Sequence, residues 1–480
     1  MGTLGRTRKR AGDCPQKKED SIVFPGKAIP TRLWRPMALL VATAVVATAC
    51  SSSTSTPTAP PPPTTAPVTT PAPAATAVVT PTTGPIGGSV TVVGTWSGAE
   101  QTAFLAMIQP WVNQTGVQVK YTGSRDINAQ LAQGIQTGNL PDLAGLPGPG
   151  QMVEYQAAGK LIKLDDVLDS ATYKANNSPG LTSLGMVNGS IYGVFIKAAV
   201  KGLIWYNPKT LPDIATNGAP KTWTDLTTLA TTDASKAKAT WCVGLESGAA
   251  SGWPGTDFIE DFVLRTAGPD VYKQWYLGKV KWSDPKIKAA FAMYGDVIKA
   301  SYGGSNYILS TNFGNGGDGL FTTPPNCLFH HQASFITTFG GFAKGTAGTS
   351  YDFFPFPDID PAYAGAVEGA GDLFGMFHDT PAARSLMAYL VTPAAQSIWV
   401  GIGGALSPNK LVNNYPDDIS RRSGELLANA KTFVFDASDN MPTAMNAEFW
   451  KEILVFVKDP TKIDSVLADL DSVQASAYGS

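Results

Sequence analysis

Residues 188–213 read NGSIYGVFIKAAVKGLIWYNPKTLPD. Asn188-Gly189 is a turn signal that opens a strand-like run, Ile191–Ile196. A short segment of small and basic residues, Lys197–Lys201, follows. A second strand-like run, Leu203–Tyr206, ends at Asn207-Pro208, where proline has no amide to donate and a fixed φ. Two strands with so short a link leave no room for a crossover helix, so they are not parallel neighbours in one sheet. They form a hairpin, or the chain leaves one lobe here and starts another. The residues alone leave both readings open.

The rest of the chain allows two domains. It has 480 residues, 43% of them hydrophobic and 15% charged, which suffices for two full cores. Net charge is −2. Residues 1–49 hold nine Lys/Arg and three Asp/Glu, so the remainder carries 27 − 35 = −8. An acidic body gives no electrostatic case for nucleic acid. No apolar run after the N-terminal region reaches the ~18 residues that a membrane span needs.

The N-terminal region reads as export machinery. Basic residues 1–36 precede an apolar run, Met37–Ala49, of signal-peptide length. Ala47-Thr48-Ala49-Cys50 resembles a bacterial lipobox, with Ala47 where Leu is usual. The resemblance implies acylation of Cys50 and anchoring to the outer face of the cell membrane. Ser51–Gly88 is rich in Ser, Thr, Pro and Ala and uncharged. Such a segment cannot bury enough apolar area to offset its chain entropy, and suits a tether.

The body begins at Ser89. SVTVVGTW is a near-continuous β-branched run, as in a sheet covered on both faces. Glu100–Thr115 is helical, with Phe104, Leu105, Ile108, Trp111 and Val112 on one face. Val117–Tyr121 is a strand and Asp126–Thr137 a helix. The order β-α-β-α predicts a doubly wound α/β lobe, whose ligands bind beyond the carboxyl ends of strands. Trp96, Ser97 and Glu100 therefore stand where a ligand would be. Further on, Thr240–Leu245 reads as a strand and Glu246–Asp257 as its loop, carrying Trp253 and Asp257. Tyr351–Pro357 and Gly369–Phe377 read as strands. Pro381–Val391, Pro393–Val400, Arg421–Lys431, Ala447–Val457 and Asp464–Ser472 read as helices.

Several motifs carry a resemblance. Gly189, Tyr192 and Gly193, then Ile204, Tyr206 and Asn207, match G-x-x-Y-G-(hydrophobic) and (hydrophobic)-x-Y-N. Gly138, Pro141, Asp142 and Leu143 match G-x-x-P-D-(hydrophobic). Gly159, Leu161, Leu164 and Asp165 match G-x-L-x-x-L-D. Pro220, Thr222, Trp223, Asp225 and Leu226 match P-x-T-W-x-(E/D)-L, with Thr222 or Thr224 as helix cap. These runs resemble the extracellular solute-binding proteins of ABC importers, maltose-binding class. The segments 246–261 and 327–339 look like the α-glucoside-binding branch. The resemblance covers Ser89 to Val457. It implies an α/β, two-lobe venus-flytrap fold with each lobe a sheet flanked by helices, closing on a solute by hinge bending. It places residues 89–198 and about 346–408 in the first lobe, and about 199–345 and 409–480 in the second. It implies a monomer that captures a di- or oligosaccharide and delivers it to membrane permease subunits.

Sugar recognition needs aromatic faces for the apolar side of a pyranose, and paired donors and acceptors for its hydroxyls. A buried hydroxyl left unpaired costs about 1–3 kcal/mol. The candidate ligand residues are Trp96, Ser97, Glu100, Trp205, Trp253, Asp257, His331 and Asp372. Trp399 reads as core. No Arg/Lys cluster is expected in the cleft, so a neutral sugar leads over a polyol or a glycerol phosphate. Gly314–Gly319 matches G-x-G-x-x-G, but Thr322-Thr323-Pro324-Pro325 follows in place of the helix that a phosphate cradle requires. No metal is expected: there is no H-E-x-x-H, and His330, His331 and His378 do not converge at ligand spacing. No cofactor or catalytic constellation is apparent, although a carboxylate pair for glycan hydrolysis stays open as an alternative. Cys14 is lost with the leader and Cys50 is acylated, which leaves Cys242 and Cys327 to pair.

Overall fold

The computed structural model describes residues 84–146 and 148–479. The leader, Cys50 and the linker up to residue 83 lie outside the described residues.

The chain leaves one lobe at Lys201-Gly202 and starts another. Asn188 (φ 49°) and Gly189 (φ 83°) do form a tight turn, joining the two-residue strands β4 (Met186–Val187) and β5 (Ser190–Ile191). Positive φ at both central residues matches the twist of a two-residue hairpin. The next strand, β6 (Gly193–Val200), is fully buried and pairs antiparallel with β11 (Ala366–Met376). The strand after it, β7 (Leu203–Tyr206), pairs in a different sheet, with β9 (Phe329–Gln332) and β10 (Asp352–Pro355). The hairpin reading of this stretch is thereby excluded. Lys197–Val200, read as part of a link, is strand.

The first sheet has the order β12-β11-β3-β1-β2, with β6 on the far edge of β11. Strands β1 (Ser89–Gly94), β2 (Gln118–Gly123) and β3 (Leu143–Leu146) are parallel, as the β-α-β-α pattern predicts. Helix Gly98–Thr115 lies between β1 and β2, and stops where Gly116 turns left-handed. Strand β11 is long enough to meet two partners end to end on one edge. Its first four residues pair parallel with β12 (Thr432–Phe435), and Leu373–Met376 pair antiparallel with β3.

The second sheet, β10-β7-β9-β8, uses β8 (Trp241–Cys242) as a short parallel edge. Helices Trp253–Tyr276, Pro285–Lys299, Thr443–Lys458 and Ile463–Ala477 surround it with one apolar core. Thr222 caps the helix Trp223–Thr232 in a reciprocal box with Asp225.

Four boundaries differ from expectation. Strand β10 belongs to the second sheet, so the return to the first falls after Pro355 rather than near 346. Strand β12, unread in the sequence, adds to the first sheet and moves the last transfer to Asp436 rather than about 409. The expected loop Glu246–Asp257 is cut short because a helix starts at Trp253, with Pro254 preset in its first turn. The strand expected over Thr240–Leu245 is confined to Trp241–Cys242.

Cys242 and Cys327 are bonded, with Cα atoms 5.5 Å apart and 85 positions apart in sequence. A loop of that length predicts about 4 kcal/mol of stabilisation in the chain-entropy account. The double variant Cys242→Ser/Cys327→Ser is expected to lose most of that in urea unfolding. Reductant should move the wild-type midpoint and leave the variant's alone.

Candidate functional site

A cleft enclosing about 990 Å³ of space open to solvent lies where the carboxyl ends of β1 and β2 meet loops of the second sheet. The first-sheet wall carries Trp96, Glu100, Arg125 and Asn128 after β1 and β2, then Lys197, Ala199 and Lys201 from β6 and its exit, and Asp372 from β11. Trp253, Phe313 and Phe335 form the opposing wall. Asp436, Ser438, Asp439 and Trp450 enter from the last crossing and the helix beyond it.

Lys197, Ala199 and Lys201 share a face because strand side chains alternate with period two. The register of β6 against β11 shifts between Asp372 and Leu373, so that Lys197 stands opposite Asp372 and Phe195 opposite Leu373. Such a bulge re-aims side chains next to a site. The Lys197 ammonium lies 2.6 Å from Glu100 and 3.6 Å from Asp372. Burial alone would depress its pKa, but the two carboxylates outweigh burial and hold it above the usual lysine value. Burial raises Asp372, and Lys197 offsets part of that rise. Arg125 reaches Glu100 at 3.5 Å and lies 5.0 Å from the Phe313 ring centre across the cleft.

Lys201 makes a second set of pairs. Its ammonium is 2.7 Å from Asp257 Oδ2 and 3.0 Å from Asp436 Oδ2. Desolvation pushes Asp257 up to about 7 despite Lys201. The same lysine lies 4.9 Å from the ring centre of Trp253, within cation–π range. Asp257, Glu260 and Asp436 bring their carboxylates within 4.8 Å of one another, close enough for a metal. The Lys201 ammonium already pairs with two of the three. That geometry is an ion-pair network.

The expected ligand residues divide. Glu100, Trp253 and Asp372 line the cleft. Trp253 is half-buried, with its ring edge-on to Phe313 at 5.2 Å. Trp96 lines the cleft too but is 2% exposed. It stacks on Phe374 at 5.6 Å and meets Trp399 edge-on at 4.7 Å. No ring face is left for a sugar, so the stacking expectation for Trp96 is corrected. Its indole N–H instead donates to Asp372 Oδ1 at 3.1 Å and holds that carboxylate toward the cleft.

Four residues fall elsewhere. Ser97 is exposed at the start of its helix, away from the cleft lining. Asp257 is buried one turn inside the helix Trp253–Tyr276, because that helix begins earlier than expected. Trp205 is core: it packs on Phe342, Tyr351 and Phe353, and its indole donates to the Gln332 carbonyl at 2.9 Å. His331 is buried against Phe258, 2.7 Å from Asp261, and desolvation lowers its pKa.

Sequence reading missed Arg125, Lys197, Lys201, Phe313, Phe335, Asp436, Asp439 and Trp450. Two lysines four residues apart inside an otherwise apolar run were the available signal for Lys197 and Lys201. The expectation of a cleft without clustered cations is also corrected, since Arg125, Lys197 and Lys201 all line it. Each is paired with carboxylate, so none is free to balance an anionic ligand. The Asp439 carboxylate, in contrast, makes no hydrogen bond or ion pair among the described residues. Burial and neighbouring Asp436 raise it well above the usual aspartate value.

Comparison with known proteins agrees with this geometry. Residues 106–425 match the family described as bacterial extracellular solute-binding protein. The chain is 37% identical over 376 residues to the osmoprotective compounds-binding protein GgtB of Synechocystis, covering 77% of this chain and 88% of that one. It is 36% identical over 397 residues to the alpha-glucosides-binding periplasmic protein AglE of Rhizobium meliloti, covering 79% and 85%. A solved chitin oligosaccharide binding protein superposes with a TM-score of 0.71 at 20% identity, covering 82% of this chain and 99% of that chain. The chain belongs to the bacterial extracellular solute-binding proteins and has their two-lobe fold.

Removing one partner from a buried ion pair leaves an uncompensated charge and costs about 3–5 kcal/mol. Lys201→Met is expected to lose that much in urea unfolding near neutral pH. A loss under about 1 kcal/mol would show that Asp257 and Asp436 do not depend on Lys201.

Proposed function

We propose that this protein is the substrate-binding component of an ABC importer, capturing a neutral di- or oligosaccharide of the α-glucoside type. The observation that supports this most is the pairing within the cleft. All three of its cations are committed to carboxylates, while Asp439 and the partly exposed Asp372 keep acceptor capacity facing the cavity. A neutral solute rich in hydroxyls suits such a surface, and a phosphate does not. The half-buried rings of Trp253, Phe335 and Trp450 supply apolar faces on the opposing side. The relative named for alpha-glucosides supports the sugar reading. The relative named for osmoprotective compounds supports a second reading, a polyol or glycosylated polyol, which the same donors and acceptors would suit.

Under this reading the protein is exported and anchored through acylated Cys50, with the segment ahead of Ile86 as tether; the expected linker end at Gly88 is corrected, because Ile86 and Gly87 donate to the Thr115 carbonyl and Gly88 accepts from Gln118. It acts as a monomer and hands its solute to permease subunits. It is read as performing no chemistry on the solute, because the relatives it matches are named as binding proteins.

Thermal shift of the purified protein against maltose, trehalose, sucrose, cellobiose, glucose and polyols tests the reading. Ligand at about 100 times its Kd should add about 2.7 kcal/mol of stability. A clear shift with an α-linked disaccharide, and no product, is the expected result. No shift from any sugar or polyol would overturn it.

Given that ligand, Trp253→Ala and Asp439→Ala should each weaken binding at least about fivefold, one aromatic face or one buried hydroxyl partner being worth about 1 kcal/mol or more. Trp96→Phe should weaken it less, since it removes only the bond that orients Asp372. Equal losses in all three variants would refute this division of roles.

A further inference from the structure

Three segments carry the chain between the two sheets, and they converge on one buried cluster of acids. The first crossing is Lys201-Gly202, between β6 and β7. Gly202 has φ 65°, and a Cβ there would strike the Asp261 carboxylate, so the crossing is drawn tight against the helix Trp253–Tyr276. The second runs from β10 into β11 and is held by Arg265, which donates to the carbonyls of Phe356 and Ala366. The third leaves β12 at Asp436. Its first amides, Ala437 and Ser438, donate to Glu260 at 2.6 and 3.3 Å.

Six carboxylates meet here. Asp257, Glu260 and Asp261 come from the long helix, Glu368 from β11, and Asp436 and Asp439 from the third crossing. The cations facing them are Lys201, from the first crossing, and Arg265, 2.9 Å from Asp261. His331 of β9 also faces Asp261, but its burial favours the neutral ring. Tyr294, from the helix Pro285–Lys299, turns a buried hydroxyl without a partner toward Asp257. Two cations cannot neutralise six buried or half-buried carboxylates, and an unpaired buried charge is too costly to keep.

The geometry shows where a proton belongs. Tyr272 Oη lies 3.2 Å from Glu260 Oε2 and 3.1 Å from the Phe435 carbonyl. Both neighbours are acceptors if Glu260 is ionised, and a phenol has one proton to give. A protonated Glu260 resolves the conflict by donating to Tyr272, which donates to Phe435. Glu368 makes the same demand independently: it is wholly buried, and neither carboxylate oxygen has a partner. The carboxylates of Asp261, Glu260, Asp436 and Asp257 lie near enough to oppose its ionisation.

We propose that the point where the lobes are joined is a proton-binding site, with Glu260 and Glu368 holding protons at neutral pH and their loss loosening the three crossings. This rests on the cluster alone and not on the identity of the solute. Desolvation followed by the neighbouring acids raises both groups well above ordinary glutamate values, which agrees with the charge count. The sign of the pH dependence follows. An acid held protonated in the folded state and ionised in the unfolded state makes folding take up protons. The associated stability is full below the unfolded value and is lost as pH rises through the folded value.

The test measures melting of the full-length protein without ligand from about pH 5.5 to about pH 8.5, with hydrogen exchange across 198–203, 364–370 and 434–441. The expected melting temperature falls as pH rises. Protection at the three crossings should drop by up to roughly tenfold for each pH unit crossed and each proton released. Glu368→Gln, which keeps shape and removes the charge, should flatten that slope and melt higher than wild type at the alkaline end. Glu260→Gln is the second variant with the same expected direction, and the wild-type profile decides the matter if neither folds. A wild-type melting temperature that is flat or rises over this range would overturn the proposal. So would a Glu368→Gln profile running parallel to wild type.

Discussion

The ammonium of Lys201 ties the molecule together where the chain first passes from one sheet to the other. It sits on the segment that joins β6, an edge strand of the first sheet, to β7 of the second, and it bonds at once to Asp257 and Asp436. Asp257 belongs to the helix packed under the second sheet, and Asp436 to the segment by which the chain returns there. One buried charge thus ties two of the three crossings and the helix between them. The arrangement costs desolvation, and what offsets it is geometric: both carboxylates are within hydrogen-bond distance, so the attraction acts where the dielectric is low. Gly202 is the companion constraint, because only glycine tolerates both its positive φ and the approach of Asp261.

The same lysine places the cleft. With Lys201 fixed, the period of the strand puts Ala199 and Lys197 on the same face, and the register shift in β11 brings Asp372 opposite Lys197. Glu100 then closes a second pair from the start of the first helix. The aromatic packing behind this wall, Trp96 on Phe374 and Trp399, serves to aim Asp372. The polar wall is built from the hinge outward, each residue placed by the one before it.

How much of this was legible depended on the range of the interaction. The parallel strands and helices of the first lobe, the Thr222 cap and the transfer at Asn188–Asp213 are local patterns, and they read correctly or left two named alternatives. Strand β12 was lost because four residues, TFVF, between two helices carry no period long enough to register. Trp205 and His331 went to the wrong place for a different reason. Alternation says that neighbours on a strand face opposite ways, but not which way is the cleft, and in a strand buried on both faces composition does not break the tie. The pairs Lys201–Asp257, Lys197–Glu100 and Trp96–Asp372 join residues 56, 97 and 276 positions apart, and no pattern in a single sequence records such meetings. A polar residue inside an apolar strand was the one visible mark, and it was present in Lys197 and Lys201.

The two walls differ in kind, and the difference bears on how a solute is held. The first-sheet side offers charges already balanced by their neighbours, with acceptor atoms left over at Asp372. The opposing side offers rings, with Phe313 reached across the gap by Arg125. Neither wall alone satisfies a molecule with one apolar face and a rim of hydroxyls. A ring stacked on Trp253 with its hydroxyls in water gains little, and a hydroxyl bound to Asp372 with its carbon face in water gains little more. Both gains accrue together only when the walls are close, so a solute that fits both stabilises the closed arrangement by its differential affinity for it. The segments that join the walls run through Lys201, through residues 356–365 and through Asp436, with Glu368 at the start of the strand that the second one enters. The buried acids therefore lie between the cleft and the segments that join its two walls.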